Sequence, residues 1–311
     1  MLTFSRNELL EQPVAMKKSL FIILAFALIS SGCSTVSLIY RNADWFLIHK
    51  INDYTSFSSR QKDTIRKEIS DYMQWHRKKA LPEYIIFLQN LNGAAQYEGR
   101  LKAEQVARLR TQFSNLYKKT MVPAIRPAAQ LLSELDGRQI QELTETFAGQ
   151  IQKQRQEFLT SGQTENLDKR AEKTMDFLEW LAGDLSDEQK QQVTKSSRQL
   201  PVASYSYIQH REANQARLIA LLNGHAGAEK IASFLSSWIL APEATRTPQQ
   251  QRAIQSFETG MDEMIAQIHG LLTARQKEHI GNLISSYIQE MQKFAAEGQD
   301  AADRIGEKSI R

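Results

Sequence analysis

Cys33 is the only cysteine of the chain, and its neighbourhood is the one place where residue types in order specify a reaction. Lys17 and Lys18 precede an unbroken apolar run from Leu20 to Ile29, and the small residues Ser30-Ser31-Gly32 lead into the cysteine. A basic start, a short apolar run and small residues before a cut are the layout of a secretory signal peptide. Ten apolar residues rise only about 15 Å as a helix, roughly half the hydrocarbon core of a bilayer, so the pattern predicts cleavage rather than a membrane span. The other candidate groups are two polar clusters. Trp75, His76, Arg77 and Tyr84 put aromatic and cationic groups where one helix should end and the next begin; Tyr205, Tyr207, His210, Arg211 and Glu212 do so near Pro201. Arg77 is expected to pair with Asp44 or Glu83. Such clusters either stitch hairpins together, with basic groups favourable at helix C-termini, or floor a groove that reads an anionic headgroup or carboxylate.

Small residues directly before a cysteine resemble the lipobox of bacterial lipoproteins, with Ser30 standing where that pattern prefers Leu. The resemblance implies diacylglycerol on the Cys33 thiol, cleavage before it and acylation of the new amine. A lone cysteine has no partner for an intramolecular disulfide in an oxidising compartment, and lipidation removes the thiol from that chemistry. Several acyl chains, at about 0.8 kcal/mol per buried methylene, make a durable anchor. Ser34 in place of Asp implies, by the Gram-negative sorting pattern, the periplasmic face of the outer membrane. Met1 to Ala15 is polar and partly acidic, so translation is expected to start at Met16, with 1–32 removed in either case.

Removing that segment takes away Arg6, Lys17, Lys18, Glu8 and Glu11, so the formal charge of +4 falls by one. The remaining charges are interspersed with no long run of one sign, a pattern that disfavours nucleic acid. The six histidines, at 49, 76, 210, 225, 269 and 279, include no i, i+4 pair with a nearby carboxylate, so no metal site is expected. No Gly-rich phosphate loop or G-x-S-x-G elbow occurs either, and no cofactor is expected.

These groups must be positioned by helices. Pro and Gly are sparse, β-branched alternation is nearly absent, and Gln, Glu, Lys, Arg, Leu and Ala dominate, which predicts an all-α fold. Ile280, Leu283, Ile284, Tyr287, Ile288, Met291 and Phe294 form one apolar stripe at helical spacing. Six times a start residue is followed three positions later by Gln and four later again by an apolar residue: Ser58, Lys102, Asp136, Ser186, Thr247 and Thr273 lead to Gln61, Gln105, Gln139, Gln189, Gln250 and Gln276. In such a capping box the start side chain accepts from the N3 amide while the N3 glutamine reaches back. The irregular spacing of the boxes argues for hairpins of unequal length rather than a solenoid.

About ten helices are expected, near 37–52, 59–80, 82–97, 102–134, 137–160, 165–182, 187–222, 227–240, 248–269 and 274–296. Pro82 should follow a break near Lys79, and Pro123, Pro127 and Pro201 should kink or break longer helices. The organisation expected is a lipidated tether over 33–37, an irregular array of helical hairpins over 38–297, as one body or as two subdomains meeting near 161–186, and a flexible polar tail over 298–311.

Residues 40–88 resemble a family of bacterial lipoproteins designated domain of unknown function 6279. The resemblance rests on Tyr40-Arg41-Asn42-Ala43-Asp44-Trp45, the box from Ser58 to Gln61, Trp75-His76-Arg77 and Leu81-Pro82-Glu83-Tyr84. It implies a helical envelope lipoprotein and transfers no catalytic residue. Leu272-Thr273-Ala274-Arg275-Gln276 is also similar to the Leu-Thr-x-x-Gln motif of small periplasmic helical chaperones, which form cradle-like dimers around unfolded clients. The capping box accounts for the same residues. The expectation is therefore a non-catalytic interaction or chaperone-like module, partnered by the membrane through Cys33 and by an envelope protein. The alternatives are a carrier of lipid or another apolar ligand and, behind it, an envelope hydrolase.

Overall fold

The computed structural model describes the backbone of residues 32–159 and 163–309; the segment expected to be a signal peptide, up to residue 31, and the Cys33 side chain lie outside the described residues. The fold is all-α, with no strand among the described residues. The chain divides into two units between Ala43 and Asp44. The first contains α1 (Gly32–Arg41), so residues 33–37 are helical. Helix α1 stops at Asn42, whose side-chain amide turns back to donate to Leu38 O at 2.7 Å, and this splits the helix expected over 37–52.

Helix α2 (Ala43–Asn52), in the second unit from Asp44 on, is followed by α3 (Ser59–Trp75), a π-helical turn (His76–Ala80) and α4 (Leu81–Ala95). No break precedes Pro82. The Leu81 N–H bonds to His76 O, five residues back, and this wider turn carries the helix past a proline that cannot donate. Helix α5 (Ala103–Ser133) passes through both Pro123 and Pro127 without ending. Helices α6 (Gly137–Leu159) and α7 (Gln163–Ala182) follow, and Gly183 closes α7 at φ +81, a conformation that suits glycine.

The helix expected over 187–222 is two helices, α8 (Asp187–Gln199) and α9 (Ser204–Asn223). Pro201 drives Leu200 out of the helical region to ψ 136, and Arg170 of α7 satisfies the freed carbonyls of Ser197 at 2.5 Å and Leu200 at 3.0 Å. The chain then runs through α10 (Ala228–Leu240), a 3-10 turn (Pro242–Thr245), α11 (Pro248–Leu271) and α12 (Ala274–Ser309). Helix α12 continues through the stretch expected to be a flexible tail from 298. Ala295, Ala296, Ala301 and Ala302 are strong helix formers, and Gly298 lets the backbone approach Arg77 so closely that an added Cβ would lie 2.8 Å from the Arg77 Cβ. The main apolar cluster joins Leu178 of α7, Val193 of α8, Ile268 of α11 and Ile280, Ile284 and Ile288 of α12, with Ile85, Leu88 and Leu91 of α4 packed on it.

The capping boxes form as expected, with one exception. Lys102 has no acceptor to offer, so only the returning half survives there, its N–H donating to Gln105 Oε1 at 2.9 Å. Four of the others meet in pairs. Gln61 and Gln139 exchange two amide bonds, at 3.2 and 2.7 Å, and Gln189 and Gln276 exchange two at 2.9 and 3.1 Å. Each Oε1 also accepts from its own cap N–H. Each Nε2 also donates to the carbonyl two residues before the partner's cap: Glu134, Ser56, Leu271 and Asp184. Every donor and acceptor of the four buried amides is thereby used. Phe57, Leu135 and Leu185, the residues just before three of these caps, are buried beside them. One plan therefore occurs twice. In each half the first and third boxes cross, and the helix started by the middle box, α5 or α11, packs against its counterpart.

Candidate functional site

Trp75, His76 and Tyr84 are brought together. The π turn swings His76 under α4, where its ring lies 6.0 Å from Tyr72 and 5.9 Å from Tyr84, while Trp75 lies 5.8 Å from Tyr72. Thr120 of α5 ties both tyrosines, accepting from the Tyr72 hydroxyl at its carbonyl (3.3 Å) and bonding the Tyr84 hydroxyl at 3.2 Å. Burial, with a smaller contribution from the Arg77 charge, lowers the His76 pKa to about 4. His76 is thus neutral at ordinary pH and packs as an aromatic. Of the carboxylates expected to pair with Arg77, Glu83 is bonded by Lys119 at 2.8 Å, and Asp44 Oδ1 is buried without a hydrogen bond.

His210 and Arg211 point apart, one buried and the other exposed. The His210 Nε2 lies 2.7 Å from Thr245 Oγ1, and Thr245 itself donates to Pro242 O at 3.0 Å. Both groups are therefore engaged within the fold, with the tautomer of the imidazole setting which of them donates. Burial, then Arg246 and Arg217, lower the pKa of His210. Glu212, next in sequence, pairs with Arg155 of α6 at 2.5 Å.

Two polar junctions were not expected from the sequence. Arg110 of α5 forks onto Asp262 of α11 at 2.9 and 2.8 Å and reaches Glu258 at 3.0 Å, and the bonds to Asp262 hold the guanidinium pKa above its usual value. Lys277, buried at the start of α12, donates to Tyr97 O at 2.8 Å, and His269 approaches Ala95 O at 3.2 Å, so the loop after α4 is held by its backbone carbonyls. The available signal was a charge inside an apolar stripe: Asp262 sits between Met261 and Met264, and Lys277 lies three residues before Ile280 and seven before Ile284.

An open hollow of about 610 Å³ lies between the end of α8 and α11, lined by Gln199, Pro201, Arg252, Thr259, Glu263 and Met264. Among the described residues no group of three or more His, Cys, Asp or Glu could hold a metal ion, and no helix is long and apolar enough to cross a membrane. Large apolar side chains do reach solvent on the outer faces. Ile86, Phe113 and Tyr117 are exposed on the α4–α5 hairpin, where Phe87 packs on Phe113 at 5.6 Å; Phe177 and Trp180 form an exposed ring pair at 5.6 Å on α7. This arrangement is suited to contact, since His76, His210 and His269 are packed or bonded within the fold while Ile86, Phe113, Tyr117, Phe177 and Trp180 face outward.

No curated protein matches the chain, and no solved structure does. A family described only as a family of unknown function, DUF6279, matches residues 53–238. That span contains the Ser58 box, Trp75-His76-Arg77 and Leu81-Pro82-Glu83-Tyr84 and begins after Tyr40–Trp45; over these residues, more than half its length, the chain belongs to the DUF6279 family.

Proposed function

We propose that this is a lipoprotein anchored through Cys33 to the periplasmic face of the outer membrane, whose helical body acts by binding envelope proteins, as a scaffold or chaperone-like module, rather than by catalysis. The observation that carries the reading is the set of aromatic and aliphatic side chains exposed on rigid hairpins, above all Ile86, Phe113 and Tyr117. An apolar patch with aromatic anchors is the chemistry by which proteins capture other chains. The Leu-Thr-x-x-Gln box at Leu272–Gln276 adds the likeness to helical periplasmic chaperones.

The test is a photo-crosslinking residue placed at Phe113 of the full chain in cells, joined to an aggregation assay with the purified protein. Discrete envelope-protein adducts at Phe113, absent from an exposed polar position such as Lys62, together with slowed aggregation of an unfolded client, are the expected result. A clean lane and an unchanged aggregation curve would sink the binding reading. The anchor is checked separately by the mass of the N-terminal peptide, which should begin at Cys33 and carry acyl chains.

A further inference from the structure

No residue of helix α2 (Ala43–Asn52) is fully buried. Trp45 is 60% exposed, Phe46 50% and Leu47 38%. Successive residues of a helix are about 100° apart, so these three spread apolar surface around more than half of the circumference instead of along one stripe. A helix apolar over most of its surface is ordinarily covered, whether by a core or by lipid. Here the aromatic surface is assembled but left open: Trp45 stacks on His49 with centroids 5.3 Å apart and planes 2° apart, and meets Phe46 edge-on at 5.0 Å.

Several features select what covers it. Ten residues rise about 15 Å, too little to span a bilayer but enough to lie along one. Asp44 marks the first turn and His49 and Lys50 the last, so polar ends flank a Trp-Phe-Leu middle, the residue types that settle at the boundary of headgroups and acyl chains. Trp45 also follows Cys33 by only twelve residues, which even fully extended span about 40 Å. We propose that α2 lies in the interfacial layer of the membrane that holds the Cys33 anchor, with Trp45, Phe46 and Leu47 inserted among the lipids. This rests on the anchored reading above and adds a second, non-covalent membrane contact.

The single cysteine makes the test clean. In the anchored protein the Cys33 thiol is blocked, so Phe46→Cys creates the only free thiol, at an exposed site where the fold should tolerate it. The full-length variant, purified from membranes and labelled with an environment-sensitive fluorophore, is placed in phosphatidylethanolamine–phosphatidylglycerol vesicles with and without brominated lipid. Phe177→Cys on α7 is the control. The expected result is a blue-shifted emission at position 46 quenched at least twofold by bromine, with position 177 unaffected. If intact mass shows the acyl chains but position 46 stays as unquenched as 177, the interfacial helix is wrong and the anchor stands. A blue shift at 46 without bromine quenching would mean that a protein surface, such as a second copy, covers the helix, and would also overturn the inference. If the unlabelled wild-type chain reacts with the dye at Cys33 and lacks acyl mass, the anchored reading fails and the inference falls with it.

Discussion

The crossing of Gln61 with Gln139 and that of Gln189 with Gln276 share every amide bond, yet they are braced differently. At the first, Glu142 accepts from the Ser56 N–H at 2.7 Å and the Thr55 hydroxyl at 2.9 Å and is bonded by Arg138. A surface carboxylate thus fixes the strand of chain that supplies the Ser56 carbonyl to Gln139. At the second, the residue after Gln276 is the buried Lys277, which fastens the loop after α4; the residue after Gln139 is the apolar Ile140, buried among side chains. The amide exchange sets the geometry of each crossing, and the neighbours decide what else it is tied to. The first is closed from the surface by acid and the second from within by a cation.

The largest test breaks the shared part. Gln139→Ala and Gln276→Ala each leave a buried partner amide, a cap N–H and a carbonyl unsatisfied, and each should cost about 3 kcal/mol in urea unfolding. Gln61→Ala with Gln139→Ala should cost clearly less than the sum of the two, whereas Gln61→Ala with Gln276→Ala should add. Additivity within a crossing would show that the exchanged bonds contribute nothing. Next, Lys277→Met removes the inner tie and should cost about 1–2 kcal/mol. Its mark should be faster amide exchange at residues 96–102, with 55–58 unchanged.

Smaller still, Lys102→Ser completes the half box and should stabilise by about 0.5–1 kcal/mol, since residue 102 already has the extended φ −93, ψ 151 that an N-cap needs. The last test is pH. The Ser56 N–H and Thr55 bonds lower the Glu142 pKa to about 2 from 4.5. A depressed carboxylate gives stability that is complete above about pH 4.5 and is lost as pH falls toward 2. Protection of residues 55–58 should therefore fade over that window and disappear in Glu142→Gln, while the second crossing, with no such carboxylate, should not respond through this route.

Helix starts were legible because a capping box is a local code: Ser58, Asp136, Ser186, Thr247 and Thr273 each begin a helix. The meeting of Gln61 with Gln139 was not, because it joins residues 78 apart and leaves no periodic trace in the sequence. Nor was the π turn, where Pro82 reads as following a break near Lys79 and only the hydrogen bond of Leu81 to His76 reveals a wider turn that continues the helix. At the polar clusters, residue type placed Trp75, His76 and Tyr84 together. It could not say which side of α9 His210 faces, nor that Arg110 would hold the buried Asp262, because pairing across helices depends on packing angles that a single sequence does not carry.

Six boxes of nearly one chemistry also pose a folding problem. In the unfolded chain a glutamine box has several equivalent partners, and closing the interval of about 50 residues between Gln139 and Gln189 is easier by about 0.4 kcal/mol than closing the native 78 or 87. Polymer entropy therefore slightly favours the wrong match. Correct pairing has to be selected by what flanks the boxes, the buried Phe57 and Leu135 before the first pair and Leu185 and Leu272, which share one cluster, before the second, so the discriminating information resides in these apolar residues and not in the glutamines themselves.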